Sequence, residues 1–113
     1  RNDRLMAAEP VRAQIFRLLG KEVPYATAVE TQEFKQEPKL IRIGAVIWVE
    51  KDGQKAIVIG KNGECMKEMG RHARLAMQKA FACKVYLGLW VKVREGWSDD
   101  ARSLRSLGYG DDL

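Results

Sequence analysis

The 113 residues predict one α+β domain: a three-stranded mixed sheet packed by helices on one face, plus a short C-terminal helix. Three observations carry this. Two stretches, Leu40 to Glu50 and Lys84 to Val93, alternate apolar and polar residues with the period of a half-buried strand. About thirty residues separate them, containing a longer amphipathic segment, and a helical crossover of that length makes the two strands parallel. A third strand precedes them across a link too short for anything but a hairpin, so that pair is antiparallel.

Residues 3 to 20 read as the first helix, with Leu5, Ala8, Val11, Ile15 and Leu19 near helical spacing and Gly20 as the stop. Pro10 predicts a kink there, or a later start near Glu9, because proline removes a backbone bond and crowds the preceding turn. Tyr25 to Phe34 is rich in Thr and Val and alternates, and the polar link Lys35 to Lys39 leads into the second strand, with Ile41, Ile43, Ala45, Ile47 and Val49 on one side. Asp52-Gly53 marks a turn. Gln54 to Ile59 suits a helical turn or a strand by pattern alone, and the order adopted takes it as a short helix. Glu64 to Ala82 is the long helix, with Met66, Met69, Ala73, Ala76, Met77 and Ala80 expected against the sheet. In the third strand Val85, Leu87, Leu89, Val91 and Val93 face one way, and Tyr86, Trp90 and Lys92 the other. Ser98 to Leu107 reads as a tail helix, with an N-cap serine, early acids, late arginines and Gly108 as a stop. These divide the chain into a domain over 1–94 and a tail over 95–113.

Composition narrows the function classes. The hydrophobic fraction is 46% and the charged fraction 31%, as in globular domains, and no run of about 18 apolar residues could span a bilayer. No export signal opens the chain, and Arg1 rather than Met suggests a cut or processed start. Cys65 and Cys83 lie near opposite ends of the long helix, about 27 Å apart at 1.5 Å per residue, so they cannot bridge each other; free thiols suit the cytoplasm. Net charge is +5, and residues 51 to 81 hold seven Lys or Arg against three acids. A basic field concentrated in one segment is the footprint of a polyanion partner.

Enzymatic readings lack residues. His72 is the only histidine, so neither zinc ligation nor a Ser-His or Cys-His pairing with a second histidine is available. Asp99-Asp100 are helix-start charges, and the chain has no G-x-x-x-x-G-K-[ST] phosphate loop. No catalytic residue, metal site or cofactor is expected in this chain.

The informative segment is Val58-Ile59-Gly60-Lys61-Asn62-Gly63-Glu64-Cys65-Met66. Two glycines bracket two polar residues directly before a helix. Glycine permits a sharp turn and close approach of another backbone, while the helix start presents unpaired N–H groups and partial positive charge. Lys61 adds a full charge and Asn62 a donor. Lys67, Arg71, Arg74 and Gln78 follow at helical spacing, forming a stripe able to track a phosphate backbone. A lone G-x-x-G is most often an ordinary turn and a basic stripe most often a solvated face; their conjunction within this strand order raises both. Gly44 and Gly88 mark places where another backbone comes close.

Ile57-Val58-Ile59-Gly60-Lys61-Asn62-Gly63, with Met66 three positions on, resembles the glycine-loop signature of K-homology (KH) domains, and the element order resembles their type II version. Glu22-Val23-Pro24-Tyr25, Leu89-Trp90-Val91-Lys92-Val93, and Gly96-Trp97-Ser98-Asp99-Asp100 with Leu104-Arg105-Ser106-Leu107-Gly108-Tyr109 resemble the C-terminal domain of the Era family of GTPases. The resemblance spans nearly the whole chain, and the tail is its most specific part. Gly44 and Gly88 depart from the family pattern, which has a polar or aromatic and an acidic residue there.

The resemblance implies an RNA-binding domain whose Gly60, Lys61, Asn62 and Gly63 hold the backbone of single-stranded RNA near the three-prime end of small-subunit (16S) ribosomal RNA during assembly of the 30S subunit. Ile57 and Ile59 would line an apolar groove with the second strand, and by spacing Lys67, Arg71 and Arg74 would supply flanking charge. It also implies an N-terminal GTPase domain in the full-length protein, where GTP and Mg would bind, a cytoplasmic location, and peripheral association with the inner membrane, for which the chain offers no amphipathic anchor. Two alternatives stay open: a docking domain contacting the GTPase half or ribosomal proteins, and a KH domain of another ribosomal or transcription protein.

Overall fold

The computed structural model describes residues 2–20 and 27–95. The elements run α1 (Asp3–Leu19), β1 (Thr27–Gln36), β2 (Ile41–Val49), α2 (Asp52–Ile59), a single 3-10 turn (Lys61–Gly63), α3 (Glu64–Phe81) and β3 (Val85–Val93). The expected tail helix over Ser98–Leu107 and the first two residues of the expected first strand lie outside the described residues.

The sheet order is β1-β2-β3. β1 and β2 are antiparallel, β2 and β3 parallel, in the mixed arrangement that the hairpin and the helical crossover predict. The parallel ladder continues at both ends, where Ile41 N–H donates to the Lys84 carbonyl and Arg94 N–H to that of Val49. Ile41, Ile43, Ala45, Ile47 and Val49 are all buried on the helix-covered side. Against them pack Ala7, Ala8, Val11 and Ile15 of α1, Val58 of α2, and Met69, Ala73 and Met77 of α3.

α1 runs from Asp3 to Leu19 with Pro10 inside it, and so does not start late near Glu9. Proline's missing N–H costs one bond to the preceding turn. Burial of four apolar side chains on this helix, and Asn2 Oδ1 accepting from the N–H groups of Arg4 and Leu5, outweigh that cost. α1 is tied to the sheet where β1 shifts register between Thr31 and Glu33: Thr31 Oγ1 donates to the Arg4 carbonyl at 2.6 Å, and Arg4 Nη1 donates to the Thr31 carbonyl at 2.8 Å.

Residues 52–59, ambiguous by pattern, are helical because Gln54 reaches back. Its Oε1 accepts from the N–H groups of both Glu50 and Lys51 at 2.9 Å, bending the chain out of β2 into a helical turn. Ala76 and Ala80, expected on the packed face of α3, are exposed. Phe81 closes that end of the core instead, its ring meeting that of Phe34 edge-on with centroids 5.4 Å apart.

Gly44 and Gly88 pair directly across the parallel ladder. What comes close to them is side chain and not a further backbone: a Cβ at Gly88 would stand 2.8 Å from Cη2 of Trp90, and one at Gly44 3.3 Å from both Cζ3 of Trp90 and the Cβ of Glu33.

Candidate nucleic-acid interface

The turn between α2 and α3 is made by positive φ at three of its four residues. Gly60 has φ 78°, Asn62 φ 56° and Gly63 φ 73°, all in the region that disfavours residues with a Cβ. Gly60 is doubly required, because a Cβ there would lie 2.5 Å from the Cβ of Cys65 and 2.9 Å from its backbone nitrogen. Asparagine is among the residues that tolerate such a conformation best, which explains how a side chain stands at the middle position. Gly60 N–H donates to the Ala56 carbonyl and Gly63 N–H to that of Gly60, so the turn is held from inside.

These bonds leave Lys61 and Asn62 exposed at the apex. Gly63 caps α3 and no side chain covers that end of the helix. The positive end of an 18-residue helix therefore stands beside a lysine and an amide donor, which is the electrostatic requirement for holding a phosphate.

From this turn a groove runs between α3 and β3. Met66, Gly70, Leu87 and Leu89 form its apolar floor, and Lys67, Arg71 and Arg74 its basic margin. It continues toward the start of β3 past Arg74, Gln78, Leu40, Lys84, Val85, Tyr86 and Leu87. Gln78 joins the two walls: its Oε1 accepts from the Val85 N–H at 3.1 Å and from Arg74 Nη1 at 3.3 Å. Gly70 leaves the floor open, since a Cβ there would meet only a Leu89 methyl at 3.6 Å.

The structure thus gathers Gly60, Lys61, Asn62, Gly63, Lys67, Arg71 and Arg74 around one turn and one groove. Ile57 and Ile59 flank the turn from α2 instead of lining this groove: Ile57 is 51% exposed, and Ile59 packs against the core. The strand forming the wall is β3, where the sequence suggested the second. β2 is central, with both edges occupied by neighbours, so only β3 can offer an edge on this side. By alternation Leu87 and Leu89 share a side of the third strand with Val85, Val91 and Val93, and no local signal separates a groove floor from a core.

Beside the turn, Cys65 is held as the neutral thiol. Burial first, and the Glu68 carboxylate second, push its pKa above the ordinary value of 9.0. Arg17 and His72 both approach Glu68 at 3.7 Å, linking α1 to the first half of α3. Among the described residues no group of three or more His, Cys, Asp or Glu is placed to hold a metal ion, and no helix is long and apolar enough to cross a membrane.

This combination, a G-x-x-G turn leading into a helix that forms a basic, apolar-floored groove with an edge strand, is that of a nucleic-acid-binding domain of the KH class. Residues 22–98 match the family model described as the KH domain, and the chain belongs to that family. Over 109 residues it is 57% identical to the GTPase Era of Xanthomonas oryzae pv. oryzae, covering 96% of this chain and 36% of the relative. The GTPase Era of Stenotrophomonas maltophilia is 56% identical over the same length. Two solved Era structures superpose on it, each 38% identical and covered to 37% of its own chain. One, from Aquifex aeolicus, is bound to GDP and aluminium tetrafluoride, with a TM-score of 0.91. The other, with a TM-score of 0.90, is a complex with MgGDPNP and nucleotides 1506–1542 of 16S ribosomal RNA. The chain is thus similar to the KH domain of Era proteins and spans little more than a third of their length.

Proposed function

We propose that this chain is the RNA-binding domain of an Era-type GTPase, and that it holds single-stranded RNA near the three-prime end of 16S ribosomal RNA while the 30S subunit is assembled. The observation that carries the reading is the turn at Gly60 to Gly63. It brings an exposed lysine, an exposed amide and the uncapped start of α3 to one point, beside a groove with basic margins and an apolar floor. In KH domains that turn clamps the RNA backbone while bases lie over the apolar floor. Met66, Leu87 and Leu89 would receive them here, with Lys67, Arg71 and Arg74 neutralising phosphates. An Era structure holding a 16S segment supports the choice of RNA.

GTP and Mg belong, on this reading, to a GTPase domain N-terminal to these residues in the full-length protein. This chain contributes the RNA grip, residues 95–113 forming a tail to it, and acts in the cytoplasm.

The test is an amide-shift titration of the chain with RNA of nucleotides 1506–1542. The amides of residues 60–63 should move, and Lys61→Asp combined with Asn62→Asp should abolish binding while leaving the dispersion of the spectrum intact. Binding by the double variant equal to the parent's would refute the assignment.

A further inference from the structure

Helices cover one side of the sheet, and the other side carries side chains that the groove does not use. On β3 the residues pointing away from the helices are Tyr86, Gly88, Trp90 and Lys92, with Lys84 and Arg94 just beyond its ends. Tyr86 is 55% and Trp90 53% exposed. Aromatic rings of this size left half in water on a regular strand lose burial that a folding role would supply.

Their setting is specific. The Trp90 ring rests on two glycines that pair across the ladder, so one side of the indole is covered by backbone while much of the residue remains in solvent. A side chain at Gly88 would force the ring to shift, and one at Gly44 would crowd it. Tyr86 is fixed by the Arg42 guanidinium, 4.9 Å from the ring centroid. The cations lie along β3 itself: residues 84 to 94 contain Lys84, Lys92 and Arg94 and no acid. The nearest carboxylates come from the neighbouring hairpin, Glu33 reaching the Gly44 side of the indole and Glu37 pairing with Arg42 at 3.5 Å. Exposed rings interleaved with cations along one strand are what a single nucleic-acid strand requires.

Continuity identifies the occupant. Tyr86 lines the far end of the α3–β3 groove together with Arg74, Gln78 and Lys84, and it also stands on the open side of β3. A strand leaving the groove there meets Tyr86 first and Trp90 next. We infer that the open side of β3 is a stacking surface for the same RNA strand, with Tyr86 and Trp90 receiving bases beyond those held at the glycine turn. This rests on the RNA-binding reading and enlarges its site.

The experiment compares RNA of about four nucleotides, enough for the KH grip, with RNA of about ten, both drawn from nucleotides 1506–1542 and titrated into the 113-residue chain. The parent should prefer the longer RNA. Trp90→Leu and Tyr86→Ala should each weaken the longer RNA by roughly tenfold, as expected for loss of a stacked base, and leave the shorter unchanged. Trp90→Phe, which keeps a π face, should retain most of the preference. Equal losses for both lengths, or none for either, would overturn the inference, the latter leaving this face to a protein. The Lys61→Asp and Asn62→Asp double variant serves as the separate control: if it keeps the short RNA, the groove reading fails, whatever the aromatic variants show.

Discussion

The Cβ that any residue but glycine would carry at position 60 falls 2.5 Å from the Cβ of Cys65, the second residue of the following helix. The contact makes the glycine turn and the start of α3 a single unit: the turn cannot open without moving the helix end that it presents to a ligand. Gly63, three residues on, has a similar φ but nothing within 4 Å of its missing Cβ.

That difference separates two otherwise similar substitutions. Gly63→Ala should cost only the left-handed backbone, about 1 kcal/mol. Gly60→Ala adds the collision and should cost visibly more, with RNA binding lost. Replacing Cys65 by Ala should not rescue it, since the colliding atoms are the Cβ and backbone nitrogen that alanine retains. Thermal unfolding of the three variants distinguishes these outcomes, and equal destabilisation at 60 and 63 would contradict the geometry.

Thr31→Val keeps the shape at the β1 register shift and removes the hydroxyl that donates to the Arg4 carbonyl. A loss of about 1 kcal/mol is expected, with a part-buried acceptor left short of one partner. Denaturant unfolding measures it, and the amides at the start of α1 should show faster hydrogen exchange. An unchanged midpoint would mean that the hydroxyl bond adds nothing to the docking that the apolar face and the Arg4 guanidinium already provide.

Gln78→Ala should loosen the first residue of β3 and release Arg74 from its position at the groove margin. Stability should fall by about 1 kcal/mol and RNA affinity should fall with it. Lys79→Ala, one residue away on an exposed position, should change neither.

Cys65 supplies a pH dependence. Its folded pKa lies above 9.0, chiefly through burial and then through Glu68, so the folded chain holds the thiol proton more tightly than the unfolded chain does. The resulting stabilisation is intact below pH 9.0 and is lost as pH rises through the raised folded value. Alkylation of Cys65 should accordingly be slow at pH 8, and Glu68→Gln should shift its onset to lower pH. A rate profile centred at or below the ordinary thiol value would show the thiol to be unperturbed.

Chain order alone determined the strands, the long helix and the functional turn. Strand alternation and the thirty-residue crossover are local records of which side faces a core, so the mixed sheet could be read from Ile41 to Val49 and Val85 to Val93. Gly60 and Gly63 were legible for the same reason, since a left-handed turn before a helix constrains residue type where it occurs. What lay beyond the sequence depended on contacts between distant residues. Pro10 stands inside a continuous helix because α1 docks on the sheet, Gln54 converts an ambiguous apolar run into α2 by reaching back to Glu50, and Trp90 occupies the space left by Gly44 and Gly88. The groove wall shows this most clearly: β3 supplies it because β2 is enclosed by two neighbours, and an edge is a property of the assembled sheet that no single strand's pattern encodes.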